Sequence, residues 1–200
     1  MSQQIFIAFI VFIFAASFTP GPNNIMLMAS GLNHGIAASL RHVAGVTIGY
    51  LLLFTSVGVG LGAVFARYPL LQTLLKYGGA AYLIYFAYRI ATARPSDGRS
   101  GRDGRPQRFG EAALFQLVNV KGWVVAVSSI STYAAVAAFP WNIALLAAVV
   151  FAATLSSALS WLVMGAALQS LLRSPRAIRV FNVTMAVLLL ASLYPVLAER

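Results

Sequence analysis

Long apolar runs interrupted by short polar stretches dominate the chain. Six runs can be drawn, at residues 4–30, 43–65, 69–92, 111–137, 141–169 and 178–198. Each is near the ~20 residues that a helix needs to cross the hydrocarbon core of a bilayer. The connectors run from Asn33 to His42, Ala66 to Pro69, Thr92 to Arg108, Ala138 to Pro140 and Ser170 to Arg179. This pattern predicts an all-α membrane protein with six transmembrane helices in one transmembrane domain, residues 1–200. The second connector is so short that the second and third spans form an antiparallel hairpin.

The first run is broken in its middle by Thr19-Pro20-Gly21-Pro22-Asn23-Asn24. Two prolines remove two backbone donors and clash with the preceding turn, so no continuous helix passes through. Gly21 widens the accessible backbone angles. Thr19, Asn23 and Asn24 bring hydrogen-bonding groups beside the freed amides and carbonyls. Within a membrane such a break is tolerated where it is buried in protein or lines a cavity, which makes it the first candidate for a substrate-binding site.

Three runs, a long connector and three more runs suggest an internal repeat. With an odd number of spans in each half, the halves enter the membrane from opposite sides and the repeat is inverted. Residues 1–92 are then the first three-helix repeat, 93–108 a cytoplasmic Arg-rich loop, and 109–200 the second repeat. Such an arrangement predicts a second broken helix in the fourth span. Gln116, Asn119, Lys121 and Gly122 interrupt that run, and Gln116 and Asn119 share one helix face at i, i+3. Lys121 lies about ten residues into the segment, ~15 Å along a helix. A charge at that depth is a functional candidate by default. Its alternatives are to snorkel to the cytoplasmic surface or to pair with carbonyls freed by the first break. Facing exposed helix termini, it would suit a substrate carboxylate.

Composition sharpens the class. The 200 residues are 60% hydrophobic and 9% charged, with mean hydropathy +0.83, which does not describe a soluble domain. The net charge of +10 therefore marks orientation in the bilayer and not nucleic-acid binding. Connectors one, three and five hold Arg41, Arg94, Arg99, Arg102, Arg105, Arg108, Arg173, Arg176 and Arg179; the other face holds Arg67, Lys76 and Arg200. The positive-inside rule puts the first set in the cytoplasm and both termini in the periplasm. Arg89 sits within reach of lipid phosphates and is expected to snorkel. The Thr92–Arg108 stretch, with Asp97 and Asp103, has too little apolar surface to fold and reads as a mobile linker on anionic lipid; nucleic acid or a regulatory partner is the alternative. Met1-Ser2-Gln3-Gln4 has no basic residue, so the first run reads as a retained span and not a signal peptide.

Several chemistries are disfavoured. The chain has no cysteine, which removes disulfide and thiol-redox mechanisms. Ser128, Ser129, Ser131, Ser156, Ser157 and Ser160 offer hydroxyls, but no span holds a histidine to activate one, and no histidine–carboxylate cluster has metal spacing. No enzyme, catalytic residue, cofactor or metal is therefore expected. Asp97, Asp103, Glu111 and Glu199 lie in loops or near span ends, so a mid-membrane carboxylate for proton coupling is missing. His34 and His42 read as solvated residues of the first connector, or as coupling groups. Gly31 with Gly35, Gly45 with Gly49, Gly58 with Gly62, and Gly78-Gly79 before Ala80-Ala81 let helices approach closely, and make a homodimer possible. Trp123, Trp141 and Tyr194 read as interface anchors.

These features are similar to those of the LysE/RhtB family of amino-acid exporters. Phe18-Thr19-Pro20-Gly21-Pro22-Asn23, with Gly35, Gly45 and Gly49, resembles its first signature. Lys76-Tyr77-Gly78-Gly79-Ala80-Ala81-Tyr82-Leu83 looks like its third-span motif, and Phe109-Gly110 with Asn119-Val120-Lys121 resembles the start of its second half. The resemblance implies a secondary transporter exporting amino acids or related small metabolites across the bacterial inner membrane, coupled to the proton gradient. Its partners are a small-molecule substrate and the lipid bilayer. The chain departs from the family at Asn23 (often Asp), at Val120 (usually Pro) and at the neutral stretch Thr154–Ala158 (often with Asp). Thr19, Pro20, Gly21, Pro22, Asn23, Asn24, Gln116, Asn119 and Lys121 are the expected substrate-binding residues. A non-catalytic scaffold or channel is the competing reading.

Overall fold

The computed structural model describes residues 3–93, 105–172 and 174–194. Eight α-helices follow one another: α1 (Gln3–Phe18), α2 (Pro22–Ser56), α3 (Gly62–Arg67), α4 (Pro69–Ala91), α5 (Phe109–Val118), α6 (Val120–Tyr133), α7 (Trp141–Leu171) and α8 (Pro175–Ala191). A π-helical turn, Val57–Leu61, joins α2 to α3, and a 3-10 turn, Ala134–Val136, follows α6. The described residues contain no strand.

Among the described residues, two helical stretches can cross a membrane by length and composition, Pro22–Leu61 and Trp141–Leu171; a third is available if α5 and the Val120–Val136 segment, bent by 66°, count as one span. α1 is a shorter apolar helix. The apolar runs predicted from sequence coincide with these elements, but the first connector does not behave as predicted. Asn33 to His42 is helical except at Gly35, whose φ of 78° and ψ of 176° break α2 in two. Ser30 and His42, twelve residues apart, share a 3.0 Å hydrogen bond; along a straight helix they would stand ~18 Å apart. The chain therefore doubles back at Gly35, a backbone conformation that L side chains seldom adopt.

Close backbone approaches hold the helices together. A Cβ at Gly31 would meet the Leu162 carbonyl, and one at Gly165 would meet the Met28 carbonyl, so α2 and α7 lie backbone to backbone. Gly45 and Gly49 do the same against Phe109, Ala112 and Ala113 of α5, and Gly79 of α4 against Val118. The small-residue spacing thus serves packing, with Gly35 and Gly78 the exceptions: nothing lies within 4 Å of a Cβ there. α4 packs chiefly on α8 and only slightly on α2.

Three apolar clusters form the core. Phe9, Ile13, Phe54, Leu146 and Val150 join α1, α2 and α7. Met26, Phe86, Phe115 and Leu189 join α2, α4, α5 and α8. Leu27, Val46, Ala158 and Leu162 lie between them. Trp123 is no interface anchor: it is 8% exposed and its indole N–H donates to the Leu117 carbonyl at 2.9 Å. Trp141 and Tyr194 are exposed as expected.

The described end of the Arg-rich loop is held in place. Arg105 forms a two-pronged ion pair with Glu111, at 3.0 and 2.5 Å, and Gln107 donates to the Tyr82 hydroxyl. Glu111 raises the Arg105 pKa, chiefly by accepting its hydrogen bonds. Arg89 reaches into the loop, donating to the Arg105 carbonyl at 2.8 Å, and lies against the rings of Tyr85 and Phe86. Arg94, Asp97, Arg99, Arg102, Asp103, Arg173, Glu199 and Arg200 lie outside the described residues.

Candidate functional site

The two breaks anticipated from the sequence meet in space. α1 ends at Phe18 and α2 begins at Pro22, with Gly21 as its extended N-cap residue. Pro22 suits that first helical position because its missing N–H would have no partner there. α5 and α6 are separated by Asn119 alone, which is extended at φ −83° and ψ 92°. Neither Gly21 nor Asn119 makes a side-chain cap. Both helix N-termini consequently keep the partial positive charge of their first-turn amides.

The carbonyls released at the end of α1 are taken up by side chains from three other segments. Ser17 O accepts from Asn24 Nδ2 at 2.9 Å and from Ser157 Oγ at 2.7 Å. Thr19 O accepts from Asn24 Nδ2 at 3.0 Å and from Lys121 Nζ at 2.6 Å. Lys121 therefore spans the two breaks. Its chain crosses directly over Gly21, where an added Cβ would lie 3.0 Å from both Cδ and Nζ, so a larger residue there would displace the lysine by a few tenths of an ångström.

Asn23 and Gln116 exchange amide hydrogen bonds at 2.9 and 3.1 Å, and Gln116 also donates to Ala112 O and accepts from Asn119 Nδ2 at 3.3 Å. Gln116 and Asn119 do not share a helix face, because Asn119 is extended between α5 and α6, but their side chains meet across the break. Gln116, fully buried, ties the breaks together from behind. The Thr19 hydroxyl turns back to Ala15 O at 2.7 Å and is exposed.

A small cavity of about 60 Å³ opens at this junction. Gly21, Pro22, Asn23, Asn24, Asn119 and Lys121 line it, joined by residues not expected from the sequence: Val46 and Tyr50 of α2, and Thr154, Ser157 and Ala158 of α7. A second, more apolar cavity of about 400 Å³ lies beside it, lined by Pro20, by Lys76, Gly79 and Leu83 of α4, and by Ser192 and Leu193 just past α8. Gly21, Pro22, Asn119, Lys121 and Val125 border both and form the wall between them. Of the nine expected site residues, seven border a cavity, while Thr19 and Gln116 support the wall through hydrogen bonds.

The histidines correct the solvated reading. His42 is fully buried, its Nδ1 bonded to Ser30 Oγ at 3.0 Å and its Nε2 without a partner. Beside it Asn33 and Asn182 pair through both amides at 2.8 and 2.9 Å. His34 is half-buried.

The LysE type translocator family matches residues 14–192. The chain is similar to the cysteine/O-acetylserine efflux protein of Escherichia coli strain K12, 32% identical over 136 residues that cover 66% of this chain and 67% of that protein. The proteins of the same description from Shigella sonnei strain Ss046 and Escherichia coli O6:K15:H31 show the same identity and coverage. No solved structure matches the chain.

Proposed function

The chain belongs to the LysE type translocator family, and we propose that it exports a small amino acid, of the kind carried by the cysteine/O-acetylserine efflux proteins, by alternating access. It is a membrane transporter and not an enzyme. The observation that carries the proposal is Lys121, whose ammonium reaches across the two helix breaks to Thr19 O at 2.6 Å on the wall of the cavity. A neutral carbonyl is a weak partner for an ammonium group in a poorly hydrated site. A substrate carboxylate arriving at the wall would offer a charged acceptor, and charge-assisted hydrogen bonds are roughly twice as strong. The uncapped N-termini of α2 and α6 favour the same negative charge. Asn23, Asn24 and Asn119 offer acceptor oxygens for the substrate's amino group.

In this reading the fold is two inverted three-helix repeats, residues 1–92 and 109–200, with six crossings of the bacterial inner membrane and both termini in the periplasm. The paired breaks support the repeat. The doubling back at Gly35 supports six crossings, because it divides Pro22–Leu61 into two antiparallel arms. Releasing Lys121 from Thr19 would free α5–α6 to rock against α1–α2 and move the wall between the cavities.

Counterflow of labelled amino acids in proteoliposomes tests the proposal. Wild-type protein exchanges substrate. Lys121→Ala is expected to lower exchange at least tenfold, at an unchanged level of protein in the membrane, since it removes a charged hydrogen bond worth ~1.5–3 kcal/mol. Full exchange by that variant sinks the role of Lys121.

A further inference from the structure

The cavity holds two hydroxyls that the fold leaves unused. Serine and threonine hydroxyls inside a helix ordinarily bond back to the carbonyl one turn earlier. Thr55, Thr92, Ser156, Ser160 and Thr184 all do so here, at 2.7–2.9 Å. Thr47, Ser129 and Thr154 do not, their buried hydroxyls having no partner, and of the three Thr154, 9% exposed, lines the cavity. On the facing helix the Tyr50 hydroxyl is likewise unpartnered, in a residue 8% exposed. Both residues line the same cavity. Among its other side chains, Asn23 is bonded to Gln116, which also takes the Asn119 N–H; the α1 carbonyls take the Asn24 N–H and the Lys121 ammonium, and Ser17 O takes the Ser157 hydroxyl. That leaves the Asn24 and Asn119 side-chain oxygens as acceptors.

A buried hydroxyl without a partner costs roughly 1–3 kcal/mol, and two on one cavity wall are explained if a ligand completes them. The position of Tyr50 is set from below. Its ring packs on Gly122, where an added Cβ would come within 3.3 Å of Cε2 and 3.5 Å of the Asn119 amide nitrogen. The second break therefore holds both Lys121 and, through Gly122, the phenol ring.

We propose that Tyr50 and Thr154 form a subsite for the substrate's side chain, which selects small amino acids carrying an oxygen or sulfur there. The assignment rests on the export reading above and adds the substrate class. Lys121 and the helix N-termini hold the carboxylate, and the two hydroxyls donate to or accept from the side-chain heteroatom. An apolar side chain of the same size would leave both hydroxyls unsatisfied, and sites built around a hydrogen-bonding group discriminate strongly against analogues that lack it.

The test is counterflow in proteoliposomes with two probes of similar size, L-serine and L-2-aminobutyrate, which exchange a hydroxyl for a methyl. The wild-type protein is expected to favour serine. Tyr50→Phe and Thr154→Val should each lower the serine-to-2-aminobutyrate ratio roughly fivefold, the loss of one hydrogen bond. Thr154→Ser, which keeps the hydroxyl, should keep the wild-type ratio and shows that position 154 tolerates substitution. An unchanged ratio in both Tyr50→Phe and Thr154→Val, or equal handling of the probes by the wild type, overturns the subsite and leaves the exporter standing. Absence of wild-type exchange with any amino acid overturns both.

Discussion

Asn33 and Asn182 illustrate how side-chain amides govern this protein at the scale of single residues. They are 4% and 0% exposed and exchange two hydrogen bonds across 149 positions of chain. Removing one partner strands the other in an apolar core. Asn182→Leu is thus expected to destabilise the protein by about 1–3 kcal/mol, read as a lower midpoint of thermal unfolding in detergent. The double variant Asn33→Leu with Asn182→Leu should recover part of that loss, since no buried amide remains unpaired; a double variant as unstable as the sum of the singles contradicts the pairing. The same logic separates Gln116 from its neighbours. Its amide is spent on Asn23, Asn119 and Ala112, bonds that tie the two breaks together.

At the scale of elements, the glycines sort into two kinds. Gly31 and Gly165 bring the backbones of α2 and α7 into contact, each meeting a carbonyl of the other helix. Gly165→Ala is expected to push these helices apart at a cost of ~1–3 kcal/mol. Gly78→Ala, in open space on α4, should be neutral or slightly stabilising, because alanine is the better helix former. Thermal unfolding of the two variants side by side checks the distinction, and equal midpoints would contradict it. Sequence spacing cannot separate them, since both lie in similar runs of small residues. Gly35 is a third case: its positive φ turns one long helical run into two arms.

For the whole molecule, orientation follows from the charges and access from the joint between the halves. In the proposed topology the Arg-rich loop is cytoplasmic and the termini are periplasmic, the arrangement that the positive-inside rule expects of these basic connectors. Alkaline phosphatase fused after residue 200 should therefore be active, and a green fluorescent protein fused there should be dark; the reverse pattern contradicts this topology. The bond from Lys121 to Thr19 spans 102 positions and joins the two proposed repeats at the wall between the cavities. In the proposed alternating-access cycle, movement of one half against the other would break or remake this bond and so couple the occupancy of the site to the arrangement of the helices.

The sequence by itself determined what depends on local chemistry. Apolar run lengths specify helices, Pro20 and Pro22 forbid a continuous one, and a lysine among apolar residues must find a partner. The membrane class, both breaks and seven of the cavity-bordering residues follow from those facts. Only the tertiary structure decided which polar groups pair with each other and which are left for a ligand. Ser156 and Ser157 are adjacent and alike in sequence, yet one bonds its own helix and the other bonds Ser17 across the junction. Thr154 and Tyr50 look like ordinary core positions until their hydroxyls are found unpartnered on the cavity wall. His42 looked solvated because its burial depends on the doubling back at Gly35 and on neighbours far along the chain. Hydrogen-bond satisfaction is a property of the assembled interior, and no single segment carries it.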